Sequence, residues 1–160
     1  MNLESTTTGR ALSWARVDFA PRHRQPSAGM VVVATVASLI GSVAADAILV
    51  AVGTAVFPST KGYVHFRFGD YSKLTIIGVL IACLAWPVVT RISSAPRWLF
   101  FRLAIAVTVV LLAPDAWLLL RGGPPQAIFV LVLMHLAIAV ITYNCLVHLA
   151  RVRRSRRARA

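Results

Sequence analysis

Three ionisable residues stand inside long apolar stretches: Asp46, Asp115 and His135. A charge near the centre of a membrane helix costs about 2.5–3.5 kcal/mol on insertion scales, so such a residue normally faces protein or water rather than lipid. Asp46 lies 12 residues before Pro58, Asp115 lies 6 before Arg121, and His135 lies 10 after Pro125. At about 1.5 Å per helical residue, these offsets bring all three to overlapping depths.

Their neighbours suggest that they share an interior. Ser38, Ser42 and Asp46 recur every fourth residue, with Ala34 one step earlier and Ala37, Gly41 and Ala45 alongside. Small residues at that spacing let helices approach closely. Ala104, Thr108 and Asp115 share a face of the third apolar run, and His135, Ala139 and Thr142 one of the fourth. Gly78, Ala82 and Trp86 are the corresponding stripe of the second run.

The six polar residues Asp46, His135, Asp115, Ser42, Thr108 and Thr142 therefore form the candidate cluster. One reading is a proton-responsive or solute-binding site in which His135 titrates against Asp46. The other is a set of interhelical hydrogen bonds that fixes packing, with Thr142 and Asn144 as partners between helices. Asp115 is the outlying member. It follows Pro114, which removes a helical hydrogen bond, and it can reach the interface or pair with Arg121.

Cofactor chemistry is not expected. A bis-histidine haem needs ligands on facing helices, and His148 lies on the same run as His135. A zinc site fails on ligand count, because the remaining His23 and His65 are expected on opposite sides of the membrane. No GxGxxG, P-loop, GxSxG or HExxH pattern occurs, so no enzyme class is indicated. Cys83 and Cys145 sit in separate apolar runs without a CxxC, which argues against a disulfide and against thiol redox chemistry.

The elements that must carry these residues are four apolar runs, expected as helices over about 29–57, 74–90, 98–120 and 126–150. With 58% hydrophobic residues in 160 positions, the chain is too apolar for an ordinary soluble domain. Residues 1–28 read as a mostly disordered arm, 29–150 as the membrane domain and 151–160 as a basic tail. In the arm, Leu12, Trp14, Val17 and Phe19 could lie on a lipid surface, although they form no clean helical stripe. Ser42-Val43-Ala44 resembles a signal-peptidase site, but the apolar run continues well past it. Between the first two runs, Tyr63 to Phe68 alternates apolar and polar residues before Gly69-Asp70, which predicts a short extended segment or hairpin.

The net charge of +12 is distributed by topology. Of the 17 basic residues, the arm, the 91–102 connection and the tail hold 4, 3 and 6, against 3 in the 58–73 loop and 1 in the 121–125 turn. By the positive-inside rule both termini face the cytoplasm. Fifteen of the basic residues are Arg, which with heavy Ala use suggests a G+C-rich bacterial genome. In the tail, Arg151, Arg153, Arg154, Arg156, Arg157 and Arg159 begin directly at a helix end and lack stacking aromatics. Anionic lipid at the cytoplasmic face is thus the expected partner, and nucleic acid is not.

Ala85-Trp86, Ala113-Pro114 and Leu133-Met134-His135-Leu136 resemble pieces of an uncharacterised actinobacterial family of small four-helix integral membrane proteins. The resemblance spans roughly residues 30–150 and implies architecture without activity. It does not extend to Asp46 or to the long basic tail.

The sequence thus predicts an all-α, four-transmembrane-helix bundle with both ends inside, in a bacterial plasma membrane. The expected role is non-enzymatic, as an accessory or scaffold subunit of an envelope or transport complex, bound to other membrane proteins or to itself. The alternative is a small oligomeric proton-coupled transporter using Asp46 and His135.

Overall fold

A computed structural model describes residues 23–154. It is an all-α bundle of four long helices: α1 (Ala28–Val56), α2 (Phe68–Ile92), α3 (Pro96–Leu120) and α4 (Pro125–Leu149). Each is long and apolar enough to cross a membrane. One end of the bundle carries the α1–α2 loop and the α3–α4 turn; the other carries the described parts of both termini and the α2–α3 connection.

Local chemistry explains the helix limits. Ser27 caps α1, its Oγ accepting from the Met30 N–H at 3.4 Å. Pro58 cannot continue that helix and opens a 3-10 turn over Pro58–Thr60. Pro96 and Pro125 sit in the first turns of α3 and α4, where a missing N–H costs nothing. Between these helices, Gly122 adopts a φ of +81°, and the Gly123 N–H donates to the Leu118 carbonyl at 2.9 Å. A Cβ on Gly123 would meet that carbonyl oxygen at 2.9 Å, so the turn needs glycine twice, once for conformation and once for space.

Two sequence expectations are corrected. Helix α2 begins at Phe68, six residues before the expected Leu74. In its first turns Asp70 complements the positive end of the helix dipole, and Tyr71 and Ser72 are buried. The segment read as extended, Tyr63 to Phe68, instead contains a 3-10 turn over Val64–Phe66. Edge contacts of Tyr63 with His65 and Phe66 favour this compact arrangement over alternation.

Helix α4 touches all three other helices, while α1 and α3 lie across the bundle from each other. The α1–α4 contact is close. A Cβ on Gly53 would meet Val130 Cγ2 at 2.7 Å, and one on Gly41 would meet Ile141 Cγ2 at 3.0 Å. These two contacts also set the antiparallel register, bringing Asp46 level with Leu136 and Ala137, just past His135.

The core has two apolar parts. At the loop end Phe66, Tyr71, Ala127, Val130 and Met134 pack together. At the terminal end Trp86 is fully buried among Val89, Leu99, Phe100, Leu146 and Val147. Its indole N–H donates to the Ala150 carbonyl at 3.0 Å, satisfying one of the carbonyls that α4 leaves open where it stops.

Parts of both terminal segments are described. Two-residue strands β1 (His23–Arg24) and β2 (Arg153–Arg154) pair antiparallel, with His23 opposite Arg154 and Arg24 opposite Arg153. Gln25 holds the arm to α2. Its Nε2 donates to the Thr90 carbonyl at 3.1 Å, and its Oε1 accepts from the Thr90 hydroxyl at 2.7 Å. Residues 1–22, including the candidate surface-seeking stretch, lie outside the described residues.

Candidate functional site

The polar residues fall between the two apolar parts of the core. On α1, Ala34, Ser38, Ser42 and Asp46 form one wholly buried stripe. Asp46 is fully inaccessible, and the Thr75 hydroxyl of α2 donates to its Oδ2 at 2.6 Å. Its other oxygen, Oδ1, has no hydrogen-bond partner.

Across the bundle, His135 Nδ1 lies 3.1 Å from Asp115 Oδ2. The same nitrogen lies 3.0 Å from the Leu131 carbonyl, one turn back on its own helix. A carbonyl can only accept, so we assign the ring proton to Nδ1, leaving Nε2 as the acceptor of a neutral ring. One hydrogen then serves two acceptors. It is directed at Leu131, and Asp115 Oδ2 receives no well-formed hydrogen bond despite being buried. A second proton on the ring would turn this contact into a full ion pair.

The direct ion contact of His135 is with Asp115, while Asp46 is held by Thr75. The expected pairing of Asp115 with Arg121 does not occur; the Arg121 guanidinium instead lies over the Trp117 ring at 4.7 Å. The α3–α4 turn makes these helices antiparallel neighbours, and that register gives Asp115 its partner on α4.

Above Asp115 stand two residues of the loop. His65 is exposed and interacts electrostatically with Asp115, and so does Tyr63. Burial, followed by the negative charge of Asp115, pushes the Tyr63 phenol above the usual tyrosine range. The centre therefore consists of one ionisable pair, His135 with Asp115, and one buried carboxyl, Asp46, bonded to Thr75.

The remaining candidates divide. Ser42 and Thr142 are buried on the facing helices α1 and α4, and each hydroxyl oxygen lacks a hydrogen-bond partner. Thr108 is half-buried and donates to the Ala104 carbonyl at 2.8 Å, so its own helix satisfies it. Asn144 is exposed and likewise bonds back to Val140, at 2.8 Å, rather than across to another helix. Gly78, expected on the inner stripe of α2, faces open space. The inner face is instead Thr75, Val79, Cys83 and Trp86.

Thr75 is the site residue that sequence reasoning missed. The available signal was a lone threonine early in the second apolar run, close to the depth of Asp46 once both are measured from the 58–67 loop. Of the basic tail, Arg151 is exposed just past α4, and Arg153 and Arg154 pair with the arm. Arg156, Arg157 and Arg159 lie outside the described residues. No group of three His, Cys, Asp or Glu side chains suited to a metal occurs among the described residues.

Comparison with known proteins finds no match among curated proteins and none among solved structures. A family model does match, over residues 18–155, which covers the whole bundle together with the arm–tail pair. The chain belongs to the family of unknown function DUF6069.

Proposed function

We propose that this chain is a small oligomeric, proton-coupled transporter of a bacterial plasma membrane, with both termini in the cytoplasm. The observation that carries this reading is the 3.1 Å contact of His135 with Asp115, together with a wholly buried Asp46 whose Oδ1 has no hydrogen-bond partner. Apolar packing alone does not need three ionisable residues on three helices at one depth, and each is costly to insert. A site that trades protons needs groups of this kind. His135 supplies a ring nitrogen that can take a proton, and Asp46 and Asp115 are the counter-charges. Four helices of this length enclose little space, so a solute path would form between copies; the analogy with other small bundles is architectural only. The orientation rests on the excess of basic residues near the termini.

A second reading is an accessory or scaffold subunit of a larger envelope complex. It is favoured by α3, which buries only Pro96, Leu99, Phe100 and Asp115 and so leaves most of its length for lipid or a partner helix.

The test is proton movement in proteoliposomes carrying a lumenal pH dye, driven by gradients of small amines, amino acids or sugars, one class at a time. Solute-driven proton movement by the parent chain, lost in folded Asp46→Asn and His135→Gln variants, supports transport. Absence of any such movement, with a second protein co-purifying stoichiometrically in mild detergent, replaces it with the accessory reading.

A further inference from the structure

Hydroxyl side chains within these helices have a usual partner. Thr35, Ser38, Thr54, Ser72 and Thr108 each donate to the carbonyl one turn back on their own helix. Ser42 and Thr142 do not. Both are buried, and each hydroxyl oxygen lacks a hydrogen-bond partner. Asp46 Oδ1 shares that condition, while its Oδ2 accepts from Thr75. One carboxyl oxygen and two hydroxyl oxygens are thus left open in the same part of the interior.

Position brings the three together. Ser42 lies one turn before Asp46 on the buried stripe of α1. Across the α1–α4 contact, Ser42 and Thr142 each follow a member of a closely packed pair, Gly41 and Ile141. Side chains on a helix lean toward its N-terminus. These two helices run antiparallel, so Asp46 leans toward the level of Ser42, and Thr142 leans toward that of Asp46.

The chemistry of the set selects an occupant. An ionised Oδ1 needs a donor or a cation, and a protonated one needs an acceptor. The protein supplies neither, and the ion contact of His135 is with Asp115. One carboxylate matches one positive charge, whereas calcium takes more oxygens and more charge. No group of three His, Cys, Asp or Glu side chains occurs among the described residues, so a transition metal lacks ligands. The helices are also close here, since one added Cβ at Gly41 would meet Ile141 Cγ2 at 3.0 Å. Oxygen donors in a narrow space suit a small alkali ion.

We propose that Asp46, Ser42 and Thr142 bind a sodium ion between α1 and α4, with the Thr75 hydroxyl orienting the carboxylate. This goes beyond the transport reading and does not rest on it. An ion held for structure alone binds equally, so failure of transport leaves the site standing.

Equilibrium dialysis of the full chain in detergent against radioactive sodium tests it, in mildly alkaline buffer with choline as the replacement cation. We expect saturable binding of about one ion per chain. Asp46→Asn should weaken it at least about tenfold, the scale of one strong contact. Ser42→Ala and Thr142→Val should each weaken it too. These two keep the test alive if the Asn variant misfolds, because each removes a buried hydroxyl that the protein does not satisfy. Thr54→Val removes a hydroxyl that bonds to Val50 and should bind sodium normally; an equal loss there would overturn the assignment. Sodium should also raise the unfolding temperature of the parent above that in choline at equal ionic strength, and do so less for Thr142→Val. Absence of saturable binding by the parent overturns the site in favour of buried water. Binding undiminished in all three site variants would place the ion elsewhere. Potassium competing as well as sodium itself would overturn the choice of ion.

Discussion

The 3.1 Å contact between His135 Nδ1 and Asp115 Oδ2 ties α3 to α4 a second time, well below the turn that joins them. It is an ionisable contact on a helix that buries only four of its residues, one of which is Asp115. Because the histidine proton is directed at Leu131, the pair is also incompletely satisfied. Its strength therefore depends on how many protons the two side chains hold.

That dependence can be measured. Asp115→Asn and His135→Gln, singly and together, form a double-mutant cycle on unfolding in detergent. We expect a coupling of about 0.5–3 kcal/mol, the usual range for residues in one network. Additive effects within about 0.5 kcal/mol would mean that the contact contributes nothing to the bundle.

Close packing of α1 on α4 makes a separate demand. Gly53→Ala places a methyl group 2.7 Å from Val130 Cγ2, and valine has no flexible end to withdraw. The substitution should destabilise by about 1–3 kcal/mol, the usual cost of overpacking. Val130→Ala on the same chain should restore much of the loss, and thermal unfolding of the three variants checks it. Gly78→Ala serves as the control, because nothing lies within 4 Å of its added methyl.

Tyr63 reports on Asp115 from outside the membrane-spanning segments. Its phenol ionises above the usual tyrosine range, through burial first and the Asp115 charge second. Asp115→Asn should bring the ionisation down part of the way and leave the burial effect, as read by ultraviolet titration of the phenolate against a Tyr63→Phe blank. The folded chain holds this proton more tightly than an unfolded one. Its contribution to stability is therefore complete below the ordinary tyrosine range and is lost as pH rises through the raised value. An unchanged titration in the Asn variant would remove Asp115 from the neighbourhood of the loop.

Topology has a direct readout. Single cysteines at Ser59 and Gly122, in a background lacking Cys83 and Cys145, should react with an impermeant reagent added to intact cells. One at Ser155 should react only after permeabilisation. Labelling of Ser155 in intact cells would invert the orientation.

The helix count and the order of the spans were legible because lipid-scale apolar runs leave few alternatives, and charged or Gly-Pro segments separate them cleanly. The start of α2 was not, because Gly69-Asp70-Tyr71-Ser72-Lys73 has loop composition and only tertiary burial of Tyr71 and Ser72 makes it helical. The depths of Asp46, Asp115 and His135 could be counted from the turns, but partners could not. Which pair touches depends on helix adjacency and rotation: His135 took Asp115 on the neighbouring α3, and Asp46 took Thr75 on α2. The arm–tail pairing was illegible for a different reason. Like charges repel, and no local pattern in either segment advertises the other.

Pro114 gives α3 a mechanical character. A proline within a helix leaves the carbonyl four residues back, here that of Val110, without its donor. Val110 is exposed, and nothing between Phe101 and Pro114 is buried. The helix is thus least braced along its middle and weakest one residue before Asp115. Bending α3 at that joint would act directly on the neighbouring contact of Asp115 with His135. The ionisable pair thus spans α3 and α4 beside the one point where the α3 backbone lacks its hydrogen bond.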